Sequence, residues 1–245
     1  MKRLLFPVLV IFLISCSTPE LRNPDPTPEP IQVIFSSVLK PWAENISACA
    51  SNNPLLAIYY NPSIAFDTNL ITNSITLELG EPVQMENNSY LTQIGREQIE
   101  VIVNQDNNLS ELSTNDLRSI FSGKLTRWDS DNGQPIQVWV FPVEESIRKY
   151  FDQAVLQSNP LSSDAMLAPD PDAMLQAVSN DPNAVGYLPG SIISTSDLSV
   201  GSKVKIIKIE ESLQSELNQP VISITPNEPV GLMRELLVCL QATDP

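Results

Sequence analysis

The sequence predicts an α/β fold organised around a doubly wound sheet. Two observations carry this expectation. Short β-branched runs alternate with segments of helical period along most of the chain. One stretch, residues 99–128, holds a strand, a turn and a helix in immediate succession. There Ile99, Val101, Ile102 and Val103 form a buried-strand run that stops at the polar turn of Asn104, Asp106, Asn107 and Asn108. Ser113 stands where an N-cap belongs, and Asp116 three residues later comes close to a capping box. Leu117, Ile120 and Phe121 fall on one helical face, and Gly123 supplies a natural C′ stop.

From the N-terminus, Lys2 and Arg3 precede an apolar run from Leu4 to Ile14. The run is too short to span a bilayer as a helix but suits the hydrophobic region of a secretory signal. It ends in Leu13-Ile14-Ser15-Cys16, which looks like a bacterial lipobox. That likeness implies cleavage before Cys16, leaving 1–15 as signal peptide, and a diacylglycerol on the Cys16 sulfur. An ordinary signal peptide with an incidental cysteine, or a short buried helix, is the plainer alternative. Residues 16–30 are Pro-rich and almost free of apolar side chains, so they read as an unfolded tether, on the order of 40 Å if extended.

The globular part starts near Ile31. QVIFSSV (32–38) reads as a strand ending in Ser36 and Ser37, followed by a helix from Pro41 with the stripe Trp42, Ile46, Cys49 and Ala50. LLAIYYN (55–61) is a second strand, 63–70 a weak helix, and ITLELGEP (75–82) a third strand. After the 99–128 unit come a strand at 136–142, a helix with Ile147, Tyr150, Phe151, Ala154 and Val155 inward, a short helix at 173–178 and a strand at 184–189. KVKIIKI (203–209) has the alternation of an edge strand, and VISIT (221–225) is the last strand. Pro229 opens a final helix with Leu232, Met233, Leu236, Leu237 and Leu240 inward.

Composition excludes several functions. The chain carries 29 acidic against 14 basic side chains, a net charge of −15, which is unfavourable for nucleic acid and for anionic lipid surfaces. With no histidine there is no Ser-His-Asp triad, Cys-His pair or H-E-x-x-H zinc motif, and no carboxylate or Ser-Lys spacing suggests catalysis either. The expectation is a protein without enzymatic activity, cofactor or metal. Asp129, Asp131, Asn132 and Gly133 hint at a calcium loop, but the glycine is one position early and Val140 stands where a glutamate is required. Beyond Cys16 there remain Cys49 and Cys239, which in an exported chain would form a disulfide; two separate buried thiols are the alternative.

Several pieces together resemble the phosphate ABC-transporter substrate-binding proteins and, more broadly, the type II periplasmic binding proteins. They are VIVN (101–104), LSTNDLRSIFSGKLTRW (112–128), VWVFP (138–142) before a helix, and NDPNAVGYLP (180–189). Within them Ile120, Phe121, Gly123, Lys124 and Trp128, and later Ala184, Gly186 and Tyr187, match the family's pattern. The resemblance implies an α/β fold of two lobes with a ligand cleft between them, lobe one from 31–98 and 200–245, lobe two from 99–199. It also implies a monomer that captures a small-molecule or anion ligand at strand C-termini and helix N-termini and hands it to an ABC permease. With Cys16 lipidated, the protein would sit outside the cytoplasm, held to the cell membrane by its lipid anchor. The matched aromatics read as scaffold rather than as ligand contacts.

One departure bears on function. Where the family has a Gly-Ser-Gly-Thr-Arg-like anion turn, this chain has Glu144, Glu145, Ser146, Ile147 and Arg148. A carboxylate about 4 Å from a bound anion repels it by on the order of 4 kcal/mol at an effective dielectric of 20. Either a glutamate faces the cleft, or both cap their own helix from outside, which is the plainer expectation. The candidate ligand residues are Ser36, Ser37, Ser146 and Arg148, with Tyr60 as a further donor at the end of the second strand. The alternative function is a binding-protein scaffold that has lost its pocket and serves as a protein-interaction module at the cell surface.

Overall fold

The computed structural model describes residues 29–51, 53, 56–62, 73–82, 89–128, 133–195 and 203–243. Cys16, the tether, the helix expected at 63–70 and the acidic positions 129–132 lie outside the described residues. The strands are β1 Glu29–Phe35, β2 Leu56–Pro62, β3 Ser74–Leu79, β4 Tyr90–Asn104, β5 Gln137–Val140, β6 Met166–Leu167, β7 Ala184–Pro189, β8 Val204–Ile206 and β9 Asn218–Thr225. The helices are α1 Lys40–Ala50, α2 Thr114–Phe121, α3 Ser146–Phe151, α4 Pro171–Asn180, α5 Gly190–Thr195, α6 Glu211–Glu216 and α7 Gly231–Gln241. Among the described residues the strands follow the order β2-β1-β3-β9-β4-β7-β5-β6, with β8 joined to β4. No described helix is long and apolar enough to cross a membrane.

The fold divides at β4. Residues 90–98 of that strand pair antiparallel with β9, which continues through β3 to β1 and β2. From Ile99 onward its partners are β7 and β8, and β7 continues to β5 and β6. One strand thus serves two halves of the sheet. Its apolar part begins at Ile99, as the sequence suggests, but pairing starts nine residues earlier, at Tyr90. Those earlier residues include Gln93, Arg96, Glu97 and Gln98, so hydrophobicity marks them weakly; backbone bonds to β9 and the burial of Ile94 hold them. The register shifts between Gln93 and Gly95. Gly95, at the shift, lies against the Trp42 ring, which a Cβ there would approach within 2.2 Å.

The return path also differs from the sequence expectation. A return to the first half at residue 200 would place KVKIIKI there, yet β8 pairs with residues 102–104 of β4, and the Ile207 N–H donates to the Val101 carbonyl. The chain rejoins the first half only at β9. Strand hydropathy alone does not distinguish the two sides of β4.

In the first half, α1 buries Trp42, Ala43 and Ile46, and α7 buries Leu236, Leu237 and Leu240. Leu232 and Met233, expected inward, are only half-buried and line a cavity of about 210 Å³ beside Ile31 and Pro229. A disulfide between Cys49 and Cys239 joins the two helices. Closing a loop over a sequence separation of 190 contributes about 5 kcal/mol in the chain-entropy account.

In the second half, α2 carries the full capping box between Ser113 and Asp116, and Gly123 stops it at φ +75°. Its Phe121 meets Phe151 edge-on at 4.7 Å, and Phe151 stacks on Tyr187 at 3.8 Å. Trp128 is buried, and its indole N–H donates to the Asn183 carbonyl. The aromatics of the sequence motifs therefore form the core, as expected. After α3 the helix continues as a π-turn over Asp152–Leu156, which keeps Ala154 and Val155 inward.

A buried carboxylate fastens the crossing. Glu97, at the middle of β4, is 3% exposed. Its Oε2 accepts from Trp42 Nε1 at 2.6 Å and from Ser191 Oγ at 2.6 Å, and its Oε1 accepts from the Ser191 N–H at 3.1 Å. Trp42 belongs to α1 and Ser191 to α5, so one side chain ties a helix from each half to the strand they share. Three donors satisfy a group that would otherwise cost several kcal/mol to bury.

Candidate functional site

The seam between the halves is where β1 and β3 end and α3 begins. The first strand stops at Phe35, earlier than the sequence suggests, because Ser36 turns the chain into a 3₁₀ turn over Ser37–Leu39 that leads into α1. Ser36 has the extended backbone of an N-cap but makes no capping hydrogen bond with its side chain. Its hydroxyl is buried and unpartnered. Across the seam stands Glu145, the N-cap residue of α3, 1% exposed and likewise without a capping hydrogen bond. Both of its carboxylate oxygens are buried without a hydrogen-bond partner. The two side chains lie close enough for the Ser36 hydroxyl to favour the ionised carboxylate, though no hydrogen bond of ordinary geometry joins them.

This corrects one expectation. Glu145 does not cap α3 from outside; it turns inward toward Ser36, whereas Glu144 stays in solvent. Burial raises the Glu145 pKa above its usual 4.5, the Ser36 hydroxyl offsets part of that rise, and the Glu144 charge adds to it.

Arg148, the expected cation, is engaged elsewhere. It is 7% exposed, its Nε donates to Asp152 Oδ2 at 2.6 Å, and its Nη1 donates to the Phe141 carbonyl at 2.8 Å. The guanidinium therefore fixes the turn from β5 into α3 and neutralises Asp152, whose own pKa is raised by burial and eased downward by Arg148. Asp152, four residues beyond Arg148, was the available signal for this pairing. Ser37 and Ser146 are half-buried at the starts of the 3₁₀ turn and of α3, flanking the pair of Ser36 and Glu145. Tyr60 bonds to Ser47 and donates to the Ala43 carbonyl at 3.0 Å, and its ring meets Phe35 edge-on at 5.8 Å.

Tyr150, Gly80, Glu78 and Glu81 also meet here. Tyr150, expected inward, packs against the core with part of its ring and also crosses the seam, where Oη donates to the Glu81 carbonyl at 3.0 Å. Its ring packs on Gly80, which has φ +79° and where a Cβ would come within 1.9 Å of the ring. That backbone conformation and that contact both require glycine. Glu78, on β3, has a pKa raised by burial and partly lowered by Lys149. Tyr150 is itself held above its usual pKa by burial and by Glu78 and Glu81. The seam is thus acidic, with Glu78, Glu81, Glu144 and Glu145 around α3. Among the described residues no group of three His, Cys, Asp or Glu side chains stands together as a metal site.

A family model for the PBP superfamily domain matches residues 83–233. A Clostridium perfringens protein, described as a phosphate ABC transporter substrate-binding protein and solved with bound phosphate, superposes with a TM-score of 0.70. It is 17% identical, and the match covers 86% of this chain and 93% of the other. An ABC-type phosphate transport receptor from Vibrio cholerae gives 0.62 at 17% identity, over 87% and 94% of the two chains. The regulatory domain of Synechocystis PCC6803 CcmR, solved with 2-PG, gives 0.62 at 10% identity, over 87% and 96%. At these identities the likeness establishes the two-lobe α/β fold, and the same fold serves proteins with different ligands.

The buried carboxylate yields a pH prediction. Glu145 has a folded-state pKa above its unfolded value near 4.5. The folded chain therefore holds the extra proton between those two values, and stability falls as pH rises through the folded pKa. Glu145→Gln removes this dependence. By urea denaturation the variant is expected to be more stable than the parent by about 1–2 kcal/mol at pH 7, with the difference vanishing below the unfolded pKa. A variant less stable at pH 7 would show that the charge is compensated.

Proposed function

The chain belongs to the PBP superfamily, as the match over residues 83–233 shows, and from that membership we propose that it is an extracytoplasmic solute-binding lipoprotein. Its first lobe comprises residues 29–98 and 217–243, its second 99–216, and the solute is captured at the seam by closure of one lobe on the other. The observation that carries this reading is the convergence of the ends of β1 and β3 with the start of α3 around the buried polar atoms of Ser36 and Glu145, which have no hydrogen-bond partner. Ligands of open α/β sheets sit at such strand ends. The lipobox-like Leu13-Ile14-Ser15-Cys16 supports a lipid anchor at Cys16, and the Pro-rich 16–30 supports a tether to it. The likeness to phosphate-transport proteins supports an ABC permease as the partner that receives the solute. Phosphate itself is less well supported, because Arg148 is engaged with Asp152 and Phe141 and Glu145 faces the seam.

Closure is testable by small-angle X-ray scattering across a panel of small polar solutes. A ligand should reduce the radius of gyration and raise the unfolding temperature together; no change in either across the panel would refute capture by closure. For the anchor, the full chain expressed in a bacterial host should partition with membranes and move to the soluble extracytoplasmic fraction as Cys16→Ala. Unchanged partitioning of that variant would rule out the lipid.

A further inference from the structure

The pattern of partnered and unpartnered groups at the seam points to the kind of solute it takes. Both carboxylate oxygens of Glu145 and the Ser36 hydroxyl are buried without hydrogen bonds. Of the two basic side chains of α3, Arg148 bonds to Asp152 and the Phe141 carbonyl, while Lys149 lies over the Tyr150 ring at 4.7 Å from its centroid and offsets the charge of Glu78, so that neither bonds to Glu145. Nearby carboxylates add negative charge, with Glu144 acting on Glu145, and Glu78 and Glu81 on Tyr150. Such a surface offers acceptors and negative charge. Its complement is a group that brings several N–H donors and a positive charge, since buried charges are found paired and hydrogen-bonded.

Other occupants fit less well. An oxyanion brings further acceptors and like charge. A divalent metal ion seeks about six or more oxygen ligands, and no three carboxylates, histidines or cysteines cluster among the described residues.

We infer that Ser36 and Glu145 form the recognition point for the protonated amine or guanidinium end of a small cationic solute, with the Glu145 carboxylate accepting its N–H groups and the Ser36 hydroxyl accepting another. This rests on the solute-binding reading above and names the ligand class. Entry requires the lobes to part at the contact of Tyr150 with Glu81, and the contact re-forms over the bound group.

The test uses the full chain at fixed ionic strength, so that general screening is constant. Calorimetry and thermal shift would be measured with ethanolamine, putrescine and guanidinium, and with inorganic phosphate and sulfate. At least one of the three cations should bind saturably, and Glu145→Gln should weaken it by roughly 30-fold or more while still unfolding cooperatively. Ser36→Ala, which keeps the charge, should weaken it by a smaller factor. Binding of phosphate or sulfate without any of the cations would overturn this inference and leave the solute-binding reading intact. Cation binding that Glu145→Gln does not change would overturn it as well. Absence of binding by either set, together with no closure across the broader solute panel, would overturn both.

Discussion

The structure depends on one shared strand and the carboxylate that fastens it. β4 pairs with β9 along its first half and with β7 and β8 along its second. A strand that serves two halves of a sheet is a weak point unless something holds it at the change of partners. Glu97 does so by accepting from the Trp42 indole of α1 and from the backbone and hydroxyl of Ser191 at the start of α5. The close approach of Trp42 requires glycine at position 95, so the local loss of side-chain packing on β4 and the hydrogen bond to Glu97 are parts of one arrangement. Removing either partner would leave a buried charge or a buried donor unsatisfied, which costs far more than the bond itself contributes.

From that fixed crossing the geometry of the seam follows. With β4 held, β1 and β3 end opposite the start of α3, so whatever precedes α3 faces whatever follows β1. In this chain those residues are Glu145 and Ser36. The two buried glutamates make an instructive pair. Glu97 has three donors and serves the architecture; the Glu145 oxygens are buried without such donors, and burial raises its pKa, with the nearby Ser36 hydroxyl offsetting part of the rise. The residue that would reverse the sign of the seam, Arg148, lies one helical turn from Glu145 but is drawn to Asp152 and the Phe141 carbonyl.

Much of this was legible from residue order. The 99–128 unit is locally determined: its strand run, capping box and glycine stop are short-range devices, and each occurs in place. The same holds for the strands around 136–142 and 184–189 and for the aromatic core of Phe121, Phe151 and Tyr187. What stayed hidden was set by distant partners. Residues 90–98 carry no strand signal as clear as the β-branched run that follows, because Gln93, Gly95, Arg96, Glu97 and Gln98 interrupt the apolar Leu91 and Ile94, and the partner β9 is distant in sequence. Glu145 looks like an outward cap because its burial against the other half, where Ser36 lies beside it, depends on a residue more than a hundred positions upstream. Tyr150 fits a core stripe by period and does pack against the core, but its contact with Gly80, far upstream in sequence, could not be read from that period. Ser36 and Ser37 were identifiable as a polar stop to a strand, whereas the early end of β1 at Phe35 was not.

Glu145 is a buried carboxylate whose oxygens lack a hydrogen bond of ordinary geometry, at the seam proposed above to take a solute. The most direct measurement is a titration of its side-chain carboxyl by ¹³C NMR, assigned by comparison with Glu145→Gln. The account predicts a midpoint above the ordinary value of 4.5 in the unliganded chain, moving downward when a cationic solute binds. A midpoint at or below the ordinary value without ligand would mean that the charge is already paired or solvated, and would contradict the account.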